Sequence, residues 1–346
     1  MVEGAPSLFR LEPGSVPPPF VAALRSGALL ARVDAAVLAL AGPGAVTCVQ
    51  GLLTSDIEQP GDGAFVYGAL LTPKGMIVVD GWAGRLGATV SYTVPADGRE
   101  RALGIFSHSV PPRLAQVSDR TSDVAVYRLV GPRALAIAAA AGLAVPPAAG
   151  RVLEGPSSGV QAARGSDAAP FVLQLTAPPR EAAALAVRLV AAGAVEGDAV
   201  ALELARILVG WPRLGAEVDE KTIPQEVRYD EIGGVSYTKG CYTGQETVAR
   251  LHFRGHTNRQ LRGLLFDVAP PAAPADGWSA VTHLDRDVGR VTSVAWVPEP
   301  GTAGAGRWVG LAVIRGEVTP GSMVRAAGRD ARVVDLPFVL PAVGPA

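Results

Sequence analysis

The chain has 346 residues, 49% hydrophobic and 18% charged, which excludes a disordered or supercharged polypeptide and suggests two or three domains. Lys plus Arg total 31 against 32 Asp plus Glu, so a formal net charge of -1 excludes a global basic field for nucleic acid. Two cysteines, Cys48 and Cys241, make neither a disulfide framework nor a CxxC pair, and a reducing compartment is expected.

Residues 1–19 lack a basic n-region and are broken by Pro13, Pro17, Pro18 and Pro19. No apolar run reaches the ~18–20 residues of a membrane span, so a cytoplasmic protein is expected. Residues 37–43, Val-Leu-Ala-Leu-Ala-Gly-Pro, read as a strand and a Gly-Pro turn. An apolar helix over 46–53 follows, with Cys48 as a core residue. Residues 125–132 repeat the pattern, Ala-Val-Tyr-Arg-Leu-Val-Gly-Pro, ahead of a second helix from Ala134. Strands are expected at 64–71, 76–82 and 89–95, so two interlocking α+β units fit this half. Pro146, Pro147 and the glycines from Gly150 to Gly165 read as a surface connection. Helices over 180–192 and 199–209 end at Gly193 and at Gly210 with Pro212. Short β-type runs at 260–268, 287–296, 308–314, 323–327 and 331–336 suggest a small barrel or sandwich. The expected division is therefore 1–257 for the α+β units and 258–346 for the β-domain.

The chemistry is concentrated in residues 239–246, Lys-Gly-Cys-Tyr-Thr-Gly-Gln-Glu. Thr243 and Glu246 have capping-box spacing, predicting a helix from Gly244 to about His252. Cys241 then precedes a helix N-terminus, where positive charge favours thiolate, and Lys239 would push the same way. Gly240 and Gly244 leave the backbone open to a ligand. A structural turn cysteine is the alternative. His252 and His256 have i,i+4 spacing, but no HExxH or second cysteine pair accompanies them, and no resident metal is expected. One cysteine cannot hold an iron–sulfur cluster alone. Arg250, Arg254, Arg259 and Arg262 form a run without acids that either faces a polyanion or is a solvated surface. Walker, GxSxG and Rossmann signatures are absent.

The octapeptide resembles the YgfZ-type, tetrahydrofolate-associated iron–sulfur maturation proteins, relatives of the glycine-cleavage aminomethyltransferase (T-protein). The resemblance extends to Val49-Gln50-Gly51-Leu52-Leu53-Thr54-Ser55-Asp56 and to residues 71–80, a hairpin leading to Asp80. It also takes in Glu203 to Ile207 with Gly210-Trp211-Pro212, and residues 219–236. It implies an α+β, three-domain fold: two entwined ferredoxin-like units and a C-terminal β-barrel around a central opening. It further implies a folate pocket in that opening, with Cys241 near its mouth. Cys241 would be the functional thiol, Lys239 its electrostatic partner, and Gly240, Tyr242, Gly244, Gln245 and Glu246 its shell. Asp80, Arg206 and Gln50 would be pocket residues, with Arg250 and Arg254 meeting the folate tail or a partner's acidic surface. The partners implied are iron–sulfur client proteins or assembly factors, such as radical-SAM tRNA-modifying enzymes; neither DNA nor membrane is implied.

This sequence departs from the transferase. Val79-Asp80 stands where the transferase has adjacent acids, and no Gly-Tyr-Thr-Gly-Glu segment occurs between Arg151 and Pro179. That segment supplies a carboxylate for the pterin N–H donors. A folate-dependent aminomethyltransferase or demethylase is thus the second reading, and a docking module with a structural cysteine the third.

Overall fold

A computed structural model describes residues 9–155, 159–271, 279–299 and 304–338. Residues 1–8 of the segment read for a targeting signal, and 156–158 of the presumed connection, lie outside them.

Each Gly-Pro turn is built as its sequence requires. Strand Ala35–Ala41 passes through Gly42 into helix Ala45–Gln50, and strand Ala125–Val130 passes through Gly131 into helix Ala134–Ala140. Gly42 and Gly131 have φ of 146° and 114°, and a Cβ there would lie 2.7 Å from Leu114 O and 2.6 Å from Ala23 O. Only glycine fits both turns.

The two units share one strand order. In the first, Gln116–Asp119, Ala35–Ala41, Thr89–Pro95 and Ile77–Leu86 lie side by side, with Phe65–Leu71 added outside. That is the order of a βαββαβ unit, closed by helices Ala45–Gln50 and Arg99–Ser109. In the second, Val195–Glu196, Ala125–Val130, Leu173–Ala177 and Gln161–Arg164 follow the same order, and Arg151–Glu154 adds the outer edge. Here Leu29–Arg32 is wedged between the first two strands. This strand comes just before Ala35–Ala41 of the other sheet, so the chain crosses between units within three residues and entwines them. The stretch expected as a surface connection therefore contains two paired strands. Gln161–Arg164 bonds to Arg151–Glu154 on one side and to Leu173–Ala177 on the other.

Helix Ala199–Val209 joins these units to the third. Asp198 caps it by accepting from Ala201 N at 3.1 Å, and Gly210 ends it in the left-handed region. Strands Arg259–Phe266, Ser279–His283, Arg286–Pro298, Gly306–Arg315, Met323–Ala326 and Arg329–Val334 then pair in a closed ring around an apolar core. Phe9–Leu11 adds parallel to Ser293–Ala295, tying the chain's start to this barrel. A bulge at Thr292 breaks the alternation of side chains in the long strand. Both Thr292 and Ser293 hydroxyls consequently reach Glu217, each at 2.7 Å.

Candidate functional site

A cleft of about 240 Å³ lies where the two α+β units and helix Ala199–Val209 meet. Asp80, Tyr67 and Trp82 come to it from the first sheet, Arg32 and Arg128 from the second. Arg206 comes from the helix and Trp211 from its exit. Asp80 is buried and accepts from the Tyr67 hydroxyl at 2.5 Å and the Tyr229 hydroxyl at 2.9 Å. Burial pushes its carboxyl above the usual range, against the two hydroxyls, which pull it down. Tyr67 and Trp211 rings lie 4.5 Å apart, and Trp82 and Trp211 stack at 5.7 Å, so the wall around Asp80 is aromatic.

Arg206 lines the cleft, but its guanidinium is already engaged. It bonds Glu203, the buried Glu217 at 2.9 Å, the Trp211 carbonyl and Ser293 Oγ of the barrel. These carboxylates outweigh its burial and keep it firmly charged. Its place is that of a rivet between cleft and barrel.

The signature segment lies against a different part of the first unit. Lys239 is buried, and its ammonium donates to the carbonyls of Gln50, Leu53 and Ser55 at 2.7, 2.7 and 2.9 Å. The first of these closes helix Ala45–Gln50, whose terminal carbonyls attract a cation. Burial pushes the Lys239 ammonium down to about 8, opposed by the charges of Asp56 and Glu58. The charge expected beside the sulfur is thus taken up by the backbone of residues 50–55. Gln50 lies in the same cluster and not in the cleft: its amide donates to Asp56 at 3.1 Å and accepts from Ile57 N. Tyr242 packs in the first core, 5.1 Å from the Lys239 nitrogen.

Cys241 stands exposed on this shelf, and among the described residues it makes no hydrogen bond. Cys48 packs half-buried at the edge of the first core, and burial pushes its thiol up. The helix after Cys241 runs Gln245–Arg254 and starts without the expected box: Gly244 is its N-cap, at φ 80°, and no side chain caps it. The reason is a close approach. A Cβ on Gly244 would lie 2.6 Å from Thr72 O, so residue 244 is pressed onto the 71–80 hairpin and Thr243 is drawn away, its N–H donating to Gly51 O. Gln245 is half-buried and Glu246 exposed, neither bonded to the thiol. Gly240 has open space around it. Arg250 and Arg254 are exposed on this helix, away from the cleft lining, and among the described residues neither forms an ion pair.

At the helix's far end His252 stacks on Tyr237 at 3.6 Å, and Tyr237 donates to Asp230. Among the described residues no group of three or more His, Cys, Asp or Glu is placed to hold a metal ion. No helix among them is long and apolar enough to cross a membrane.

Shelf and cleft are joined by a short bonded path. Lys239 holds Ser55 O, the Ser55 hydroxyl donates to Tyr67 O, and the Tyr67 hydroxyl donates to Asp80. Sequence reading missed Tyr67, Tyr229, Trp82 and Arg128. The one signal for Arg128 was a cation inside an otherwise apolar strand.

The model of the GCVT N-terminal domain matches residues 22–149. Over 315 residues the chain is 30% identical to an aminomethyltransferase of Rubrobacter xylanophilus, spanning 87% of this chain and 80% of that one. The chain belongs to the aminomethyltransferase family. It is also 37% identical over 130 residues to the tRNA-modifying protein YgfZ of Vibrio vulnificus; that match spans 37% of this chain and 38% of that protein. The crystal structure of the glycine cleavage system aminomethyltransferase T from Bartonella henselae superposes with TM-score 0.75. It covers 93% of this chain and 89% of that one at 20% identity, so the chain has the aminomethyltransferase fold.

Proposed function

We propose that this YgfZ-type protein binds a reduced folate in the Asp80 cleft and serves as an accessory factor for assembly or repair of iron–sulfur enzymes. Cys241 is its functional thiol. The observation that carries this reading is the separation of an aromatic-walled cleft from an exposed cysteine, with the Lys239–Ser55–Tyr67–Asp80 path between them. A thiol that acts on a partner protein has to stand at the surface, and a folate ring has to be enclosed. The cleft suits such a ring: Asp80 accepts a ring N–H, and Tyr67, Trp82 and Trp211 supply apolar walls. Bound tetrahydrofolate would supply one-carbon or redox chemistry; the protein's own part is to orient it and exclude water. The division into α+β units over 1–257 and a barrel over 258–346 belongs to this proposal, as do a cytoplasmic setting and [4Fe–4S] clients.

In a strain lacking the endogenous protein, wild type is expected to restore cluster-dependent tRNA thiolation. Cys241→Ala is expected to fold normally and fail to restore it. Full restoration by Cys241→Ala would sink the role of the thiol.

The Rubrobacter aminomethyltransferase match favours a second reading, a folate-dependent aminomethyl transferase or demethylase. Its signature is turnover of a small amine with tetrahydrofolate by the purified protein.

A further inference from the structure

We infer that Arg128 is a ligand-binding residue of the cleft, donating to an oxygen of the bound molecule beside Asp80. The ligand's identity rests on the folate reading above; the construction of the site does not. Arg128 lies within strand Ala125–Val130, flanked by buried Val126, Leu129 and Val130, and it lines the cleft. Its guanidinium lies over the Phe171 ring, 4.6 Å from the centroid, which fixes the plane of its donors. Its Nε is buried without a hydrogen-bond partner, and among the described residues it forms no ion pair. Directly opposite on the neighbouring strand is Gln174. The Gln174 amide nitrogen donates to Thr93 at 3.2 Å, leaving Oε1 buried and without a partner.

A half-buried cation whose Nε is buried without a partner, and which among the described residues forms no ion pair, costs folding free energy, and such a group persists where a ligand completes it. The same burial brings the guanidinium down to about 10, with Tyr67 and Asp80 acting against it. The stretch between Arg151 and Pro179, which lacks the transferase's pterin carboxylate, contributes Pro170 to the lining, and Arg128 stands over Phe171 next to it. The cleft therefore offers an acceptor, Asp80, and a planar donor, Arg128. Together they complement a ligand with an N–H near an oxygen. On a folate that oxygen belongs either to the ring lactam or to a tail carboxylate.

Calorimetric titration of tetrahydrofolate and of tetrahydropteroate, which lacks the glutamate tail, into wild type, Arg128→Met and Arg128→Lys tests this. Melting temperatures of the unliganded proteins are taken alongside. Arg128→Met is expected to bind tetrahydrofolate at least about tenfold more weakly, Arg128→Lys to recover part of the loss, and neither to melt below wild type. A loss shared by tetrahydropteroate assigns the ring oxygen; a loss confined to tetrahydrofolate assigns the tail. Unchanged affinity overturns the inference, as does weaker binding accompanied by a melting temperature well below wild type in both variants. If wild type binds neither probe, the folate reading fails and melting decides. Arg128→Met at or above wild type keeps Arg128 as an unpaired ligand-site cation, and a lower value overturns it.

Discussion

Lys239 and Cys241 are two residues apart yet have different tasks. Lys239 gathers three carbonyls that would otherwise be short of donors, so Lys239→Met is expected to lower stability by about 2–4 kcal/mol in urea titrations. Wild-type stability in that variant would contradict the role. Cys241 is exposed and, among the described residues, makes no hydrogen bond, so its removal is expected to leave stability within about 0.5 kcal/mol. Asp80 makes a pH-dependent prediction. Its folded pKa is raised by burial, so between the ordinary carboxylate value and the raised one the folded state binds more protons than the unfolded. Its contribution to stability is full below the ordinary value and is lost as pH rises through the folded one. A ligand N–H needs the ionised carboxylate, so tetrahydrofolate affinity is expected to rise with pH across the same window. Asp80→Asn is expected to abolish both trends, and a pH-independent affinity in wild type would contradict Asp80 as the acceptor.

The signature helix shows how an element is set by its neighbour as well as by its own residues. Thr243 and Glu246 have the spacing of a capping box, yet the hairpin at Thr72 lies so close that only a glycine fits at 244. Gly244→Ala places a Cβ 2.6 Å from a carbonyl at a left-handed φ, and a loss of about 1–3 kcal/mol is expected. Gly240→Ala, with nothing within 4 Å of its Cβ, is expected to be neutral. Equal melting temperatures for the two variants would show that the close approach is not what positions this helix. The Gly-Pro echo, the helices at 180–192 and 199–209 and the barrel strands were legible because periodicity and turn residues agreed over each. The hairpin 151–164 was not. Its strands have four residues each and sit among prolines and glycines, and they exist through pairing with Leu173–Ala177, which local sequence does not record.

At the scale of the molecule, Arg206 links helix, cleft and barrel through Glu203, Glu217 and Ser293. Arg206→Met would leave Glu217, fully buried, without its nearest cation, and a loss of about 3–5 kcal/mol is expected. Two separate unfolding transitions in place of one would mark release of the barrel; wild-type stability would contradict the linking role. The resemblance brought out Asp80, Arg206 and the octapeptide. It did not bring out the cleft's other walls, because Tyr67, Trp82 and Arg128 come from distant parts of the chain and meet Asp80 and Trp211 only when both sheets and the helix pack. Likewise Gln50 was legible as part of a motif, but its place under Lys239 and outside the cleft follows from which carbonyls the ammonium collects.

The claim that thiol and cleft form one functional unit is tested most directly by the alkylation rate of Cys241 in a Cys48→Ser background, with and without saturating tetrahydrofolate. Occupation of the cleft is expected to change the rate, through Asp80, Tyr67 and Ser55 to the Lys239 shelf, and the change is expected to vanish in Asp80→Asn. A rate indifferent to bound tetrahydrofolate would contradict it and leave the cysteine and the cleft as two unrelated features.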